Sequence, residues 1–161
     1  MEQAMDAALA KAWAGRDEGL PLNSPTEALI LASIVEKETG VKAERARVAG
    51  VFLNRLKRGM KLQSDPTVIY GITEGKAPLG RDLTRADLDT PTPWNTYAVQ
   101  GLPPTPIANP GLAAIDAVLH PQATKDLYFV ADGTGGHAFA ETLQGHNRNV
   151  AKWRKIQRNG K

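Results

Sequence analysis

The 161-residue chain contains no cysteine, which excludes disulfides, cysteine-based zinc sites and thiol nucleophiles. It has no apolar run approaching the ~18 residues of a membrane span. Its start, "MEQAMDAALAKAW", lacks a basic segment followed by an apolar core and does not read as a signal peptide. Charge of one sign is scarcely in excess: 20 basic against 17 acidic residues give a formal net charge of +3. The basic residues are interleaved with acids and form no compact cluster with aromatics, which argues against a nucleic-acid-binding domain. His120, His137 and His146 lack a metal spacing such as H-E-x-x-H, so a zinc hydrolase is unsupported. What remains, 42% apolar and 23% charged residues, is the composition of a soluble globular protein long enough to bury one core.

Ala4, Met5, Ala8, Leu9, Ala12 and Trp13 recur at helical spacing, and "GRDEGLPLN" then reads as a linker. "SPTE" opens the next helix, with Ser24 as N-cap, Pro25 at the first position and Glu27 closing a capping box. That helix is expected to run to about Thr39 and to stop at Gly40. A third helix is expected from about Ala43 to Arg58, with Val48, Val51, Phe52 and Leu56 as its apolar stripe and Gly59 as its end. "MKLQSDPTVIYGI" reads as an extended segment, a turn at Asp65-Pro66, and a short helix or strand near Val68 to Tyr70. "TRAD" caps a short helix ending before Thr90-Pro91, and six prolines between Thr90 and Pro110 predict a long irregular loop. Asn109-Pro110 is expected to start a helix reaching about His120, and "DLYFVADGTGGHAFA" to form a β-hairpin. "DGTGG" resembles a phosphate loop only in its glycines, because a strand pattern follows it. "NRNVAKWRKIQR" closes the chain as a basic helix, which is either a solvated face or a contact for anionic polymer. The sum is a mainly helical α+β domain with a small antiparallel sheet.

"LILASIVEKETG" drives an apolar run towards two carboxylates, Glu36 and Glu38. Residues two apart on a helix point about 200° from each other, so only one of them looks into the core. Ile30, Leu31, Ile34 and Val35 form a stripe in which Glu38 falls, whereas Glu36 lies opposite, beside Ser33. A carboxyl against an apolar wall keeps its proton near neutral pH and serves as a general acid, which makes Glu38 the first catalytic candidate and Glu36 the second. The competing reading is a glutamate at a helix end that simply reaches water.

"LASIVEKETG", "VAGVFLNRLKRGMKLQSDPTVIYG", "TPWNTYAVQGLPPTPIANPG" and "LYFVADGTGGHAF" together resemble the endolytic murein transglycosylase family of bacteria, also called MltG or YceG-like. The resemblance covers about residues 22 to 150. It implies a lysozyme-like catalytic domain that cuts nascent peptidoglycan strands within the chain, leaving 1,6-anhydro ends. It also implies one glutamate acting as acid and then base, placed just before Ser or Thr, which again selects Glu38 in "IVEKET". No metal and no cofactor are implied. Implied partners are peptidoglycan glycan strands and penicillin-binding proteins, at the periplasmic face of the inner membrane. The expectation for 1–161 is one catalytic domain, with residues 1–21 a connecting helix and linker from a missing N-terminal region that would carry the anchor and a LysM-like part.

For a glycan substrate, Gln63, Ser64 and Asp65 in "LQSDPT" and Asn95, Thr96 and Tyr97 in "WNTY" are candidate binding residues, because such groups bond sugar hydroxyl and N-acetyl groups. Ser-Asp-Pro is equally good turn chemistry. Tyr70, Trp94 and Tyr97 are candidates for stacking on sugar faces, with core packing as the alternative. "GLPPTPIANP" is expected to wall the cleft, and His137 to border it or to be a hydrogen-bonded structural histidine. A glycan-binding module with the same fold but no catalysis is the runner-up function.

Overall fold

The structure is a computed structural model that describes the backbone of residues 2–160 and the side chains of residues 6–160. In chain order the elements are α1 (Glu2–Ala14), α2 (Pro25–Glu38), a 3-10 turn (Lys42–Glu44), α3 (Arg45–Arg58), α4 (Asp65–Thr73), α5 (Arg85–Asp89), α6 (Leu112–Leu119), β1 (Tyr128–Ala131), β2 (His137–Ala140) and α7 (Leu143–Asn159). The strands pair antiparallel with Phe129 opposite Phe139 and Ala131 opposite His137. The class is α+β, mainly helical, as the sequence predicts.

Helix α2 is the centre of the fold. Ser24 caps it by accepting from the Glu27 N–H at 3.2 Å, and the Glu27 carboxylate reaches back to the Asn23 N–H at 2.9 Å. Helices α1, α3, α4 and α6 all touch it, and residues Ala28 and Ile30 to Val35 are buried. Each large aliphatic among them contributes about 1.5–3 kcal/mol relative to an exposed position. Ser33 is tolerated inside because its hydroxyl donates to the Ile30 carbonyl at 2.6 Å and accepts from the Ile107 N–H at 3.0 Å. In α1, Leu9 enters the same core and Ala12 and Trp13 pack against it, while the side chains of Ala4 and Met5 lie outside the described residues.

Several boundaries differ from expectation, each for a local reason. Helix α2 ends at Glu38, one residue short of the expected Thr39, and the extended Thr39 rather than Gly40 stops it; the Thr39 hydroxyl accepts from the Val41 N–H at 3.0 Å and turns the chain. Residues 42–44 form a 3-10 turn before α3 rather than its first α-helical turn. Residues 60–64 lie outside any helix, as expected, but Asp65-Pro66 is the first turn of α4, where proline's missing N–H costs nothing, so the chain is helical from Asp65 to Thr73. Helix α6 starts at Leu112 with Gly111, not Asn109, as N-cap. There Glu36 takes over the capping role, accepting from the Gly111 N–H at 2.8 Å. Helix α7 begins at Leu143, earlier than expected, because the Thr142 hydroxyl caps it.

Helix α3 fixes the hairpin. Asn54 donates to the carbonyls of Thr124 (2.8 Å) and Asp126 (2.9 Å), Arg47 pairs with Asp126 at 2.7 Å, and Phe52 meets Phe129 edge-on at 5.7 Å. The approach is so close at Gly50 that a Cβ there would lie 2.9 Å from the Gln122 carbonyl oxygen and 3.0 Å from a Thr124 methyl. Helix propensity alone favours Gly50→Ala by about 1 kcal/mol, whereas overpacking costs about 1–3 kcal/mol. We expect the clash to win. Urea denaturation should therefore show the Gly50→Ala protein destabilised rather than stabilised.

Candidate active site

A cleft of about 290 Å³ opens between the C-terminal end of α2, the start of α4 and the hairpin. Glu38 lies at its floor, with part of its side chain open to the cleft. Gln63, Asp65 and Tyr97 line the same cleft, together with Arg55, Tyr128, Phe129, His137 and His146.

The Ser64 hydroxyl donates to Glu38 Oε1 at 2.7 Å. Ser64 is itself buried and oriented from behind, since its N–H donates to the Thr96 hydroxyl at 2.8 Å and its carbonyl accepts from the Thr67 hydroxyl at 2.6 Å. The Thr67 and Thr96 hydroxyls share a further bond of 2.8 Å. Gln63 takes a left-handed φ of 52° and donates its N–H to the Thr96 carbonyl at 3.3 Å. Such a conformation costs a non-glycine residue about 1–3 kcal/mol and holds only where neighbours over-determine it. Two segments distant in sequence are thereby sewn together next to the carboxyl.

Burial pushes the Glu38 pKa up from 4.5 to about 7. The Ser64 bond opposes that shift, the Asp65 charge adds to it, and the His137 charge lowers it. Desolvation outweighs the hydrogen bond. Asp65 accepts from the Tyr97 hydroxyl at 2.6 Å, and burial, then Asp65, raises the Tyr97 pKa so that it stays a donor. His137 is fixed by Glu44, whose two oxygens meet its Nδ1 at 2.8 Å and its backbone N–H at 2.9 Å.

The remaining expected residues lie elsewhere. Asn95 is fully buried and organises its own loop, donating to the Leu88 (3.0 Å) and Thr90 (2.7 Å) carbonyls and accepting from the Tyr97 N–H at 2.9 Å. Ser64 and Thr96 stand behind the cleft wall. Tyr70 and Trp94 pack edge to face at 5.6 Å against the core, and Tyr70 borders a different cavity. The "GLPPTPIANP" loop does not wall this cleft; its Ile107 to Asn109 border that other cavity and Ile107 plugs the core. Glu36 is outside the cleft, engaged by Gly111 and by Arg45 at 3.8 Å. His120 pairs with Asp17 at 2.8 Å, away from the site.

Sequence reasoning missed Arg55, Tyr128 and His146. Arg55 is 7% exposed, donating from Nε to the Leu127 carbonyl at 2.7 Å and from Nη1 to the Lys61 carbonyl at 2.8 Å. Its signal was present: an arginine four residues after Val51 and three after Phe52 falls within the apolar stripe of α3. Tyr128 stacks on the His146 ring at a centroid distance of 5.0 Å, and no sequence spacing indicates that pair. Among the described residues, no three His, Asp or Glu side chains converge as a metal-ion site.

Fold and site together define a mainly helical α+β domain built around one proton-retaining carboxyl. The chain belongs to the YceG-like family, whose model matches residues 1–152. It is 45% identical over 125 residues to a protein of Bacillus subtilis named endolytic murein transglycosylase, covering 78% of this chain and 34% of that protein. A Streptococcus pneumoniae protein of the same name is 40% identical over 132 residues, covering 78% of this chain and 23% of the relative. The chain thus spans about a third or less of the length of these relatives. A crystal structure of a yceG-like protein from Listeria monocytogenes superimposes with a TM-score of 0.72 at 40% identity, covering 78% of this chain and 40% of that one.

The raised pKa has a thermodynamic consequence. Between pH 4.5 and about 7 the folded protein holds a proton on Glu38 that the unfolded chain releases, so stability falls as pH rises through that window. Glu38→Gln removes this dependence. Chemical denaturation at pH 5 and pH 8 should show the variant gaining on the parent protein by up to about 3 kcal/mol at the higher pH.

Proposed function

We propose that this domain is the catalytic part of a peptidoglycan lytic transglycosylase acting on glycan strands at the MurNAc–GlcNAc β-1,4 bond. The observation that carries the reading is Glu38, a carboxyl protonated near neutral pH at the floor of an open cleft. The names of the relatives supply the substrate class.

In this reading the Glu38 carboxyl donates its proton to the glycosidic oxygen, and the C1–O bond breaks with its electron pair leaving on the GlcNAc 4-oxygen. The carboxylate left behind takes the proton of the muramyl 6-hydroxyl as O6 attacks C1. The 1,6-anhydro ring closes, Glu38 is protonated again and no water is consumed. The Ser64 hydroxyl orients the acid and steadies its carboxylate form. The Asp65 carboxylate, held by Tyr97, supplies negative potential for the oxocarbenium-like transition state. Penicillin-binding proteins as partners and a periplasmic, membrane-anchored setting belong to the same proposal; none of the helices described is long and apolar enough to cross a membrane.

One observation favours a second reading. Asp65 lines the cleft that holds Glu38, and two carboxyls flanking a glycosidic bond are the equipment of a hydrolase. The product decides between them. Mass spectrometry of digested glycan strands should show anhydromuramyl ends, and reducing muramyl ends in their place would establish hydrolysis. Glu38→Gln should lower product release by about 10²–10⁴-fold with the fold intact, and Glu36→Gln should do far less. The rate should fall as pH rises through about 7, where the acid loses its proton.

A further inference from the structure

A second cavity of about 570 Å³ also borders Glu38. It shares Glu38, Ala131 and His137 with the first, so the two meet at the carboxyl. One wall is the Thr39-Gly40 corner that ends α2; the opposite one is the face of α7 carrying Trp153, Ile156 and Gln157. The floor is the glycine turn of the hairpin.

We infer that this cavity is the second half of a continuous groove, and that Trp153 and Ile156 carry a sugar ring of the glycan strand on the side of Glu38 away from Tyr128. The inference rests on the proposed function. An acid that cuts inside a strand needs polymer on both sides of the scissile bond. The first cavity, lined by Arg55, Tyr128 and His146, shares only Glu38, Ala131 and His137 with the second.

The lining suits a neutral sugar. An indole and an aliphatic side chain offer an apolar face for the C–H side of a pyranose, and the Gln157 amide and bare peptide groups of the turn offer hydrogen bonds. Ile156 is 43% exposed, a large apolar group that the described residues leave uncovered. The turn is held close to α7 by glycine: a Cβ on Gly133, whose φ is +92°, would lie 3.2 Å from Ile156 Cδ1. Gly135, also at φ +92°, and Gly40 have nothing within 4 Å of where a Cβ would stand, so the space at these two positions is open.

Gly40 gives a clean test, because it is exposed, lies outside the left-handed region and has open space around it. Gly40→Tyr should fill the groove while leaving thermal unfolding unchanged. On long uncross-linked glycan strands we expect kcat/KM to drop at least tenfold, mainly through KM, with the pH profile retained. A second arm needs no catalysis. In a Glu38→Gln background, adding strands should change tryptophan emission saturably, and that change should vanish in the Glu38→Gln/Trp153→Phe double variant. Unimpaired cleavage by Gly40→Tyr, or an emission change independent of Trp153, would overturn the groove while the transglycosylase reading stood. If the parent protein cleaves nothing, that reading fails, and the emission arm alone decides the groove: a Trp153-dependent change upholds it and no such change overturns it.

Discussion

The site depends on the burial of one carboxyl at the end of a helix that is otherwise given over to the core. Seven residues of α2 are buried, and Glu38 follows them as its last residue. A carboxylate there loses water that a single hydroxyl does not replace. That is why the Ser64 bond fails to pull the pKa back to the ordinary range. The same arrangement makes the carboxyl costly for the fold at alkaline pH and suited to giving up a proton at neutral pH.

The rest of the architecture maintains that placement. The Thr67 and Thr96 hydroxyls, bonded to each other and to the backbone C=O and N–H of Ser64, tie the start of α4 to the irregular loop, so the backbone that carries the donor to Glu38 is held by two side chains. Asn95 performs the same service for the loop, satisfying backbone groups that its prolines and missing secondary structure leave open. On the far side, Glu44 grips the first residue of β2 through the His137 backbone N–H and ring Nδ1, and Arg55 grips the entry to β1 through the Leu127 carbonyl. A Cβ on Gly136 would lie 2.8 Å from a Glu44 oxygen, so the glycine turn is what allows that grip.

The sequence was legible where local rules dominate. Helical period and capping located α2, α3 and α5, two short strand patterns around a glycine-rich turn located the hairpin, and the stripe argument chose Glu38 over Glu36. The picture behind that choice is simpler than the real one: α2 is enclosed on nearly every side, and Glu36 is also against protein, spent on the N-terminus of α6. The polar residues of "WNTY" were less legible. Asn95 and Tyr97 stand two apart, yet one is an internal brace and the other faces the cleft, because an irregular loop has no period from which facing can be read. Asn109 failed as a cap for a related reason, since a side chain 73 residues earlier in the chain took its place. The Tyr128–His146 wall and the Trp153 face come from α7 folding back on the hairpin, a tertiary event without a local signal.

The central claim is that Glu38 keeps its proton until the pH approaches neutral, and the most direct measurement is a carbon-13 NMR titration of the glutamate side-chain carboxyls in the folded domain, with Glu38→Gln used to assign the resonance. The account predicts that the Glu38 carboxyl titrates at about pH 7. A titration at the ordinary value of 4.5 would contradict it.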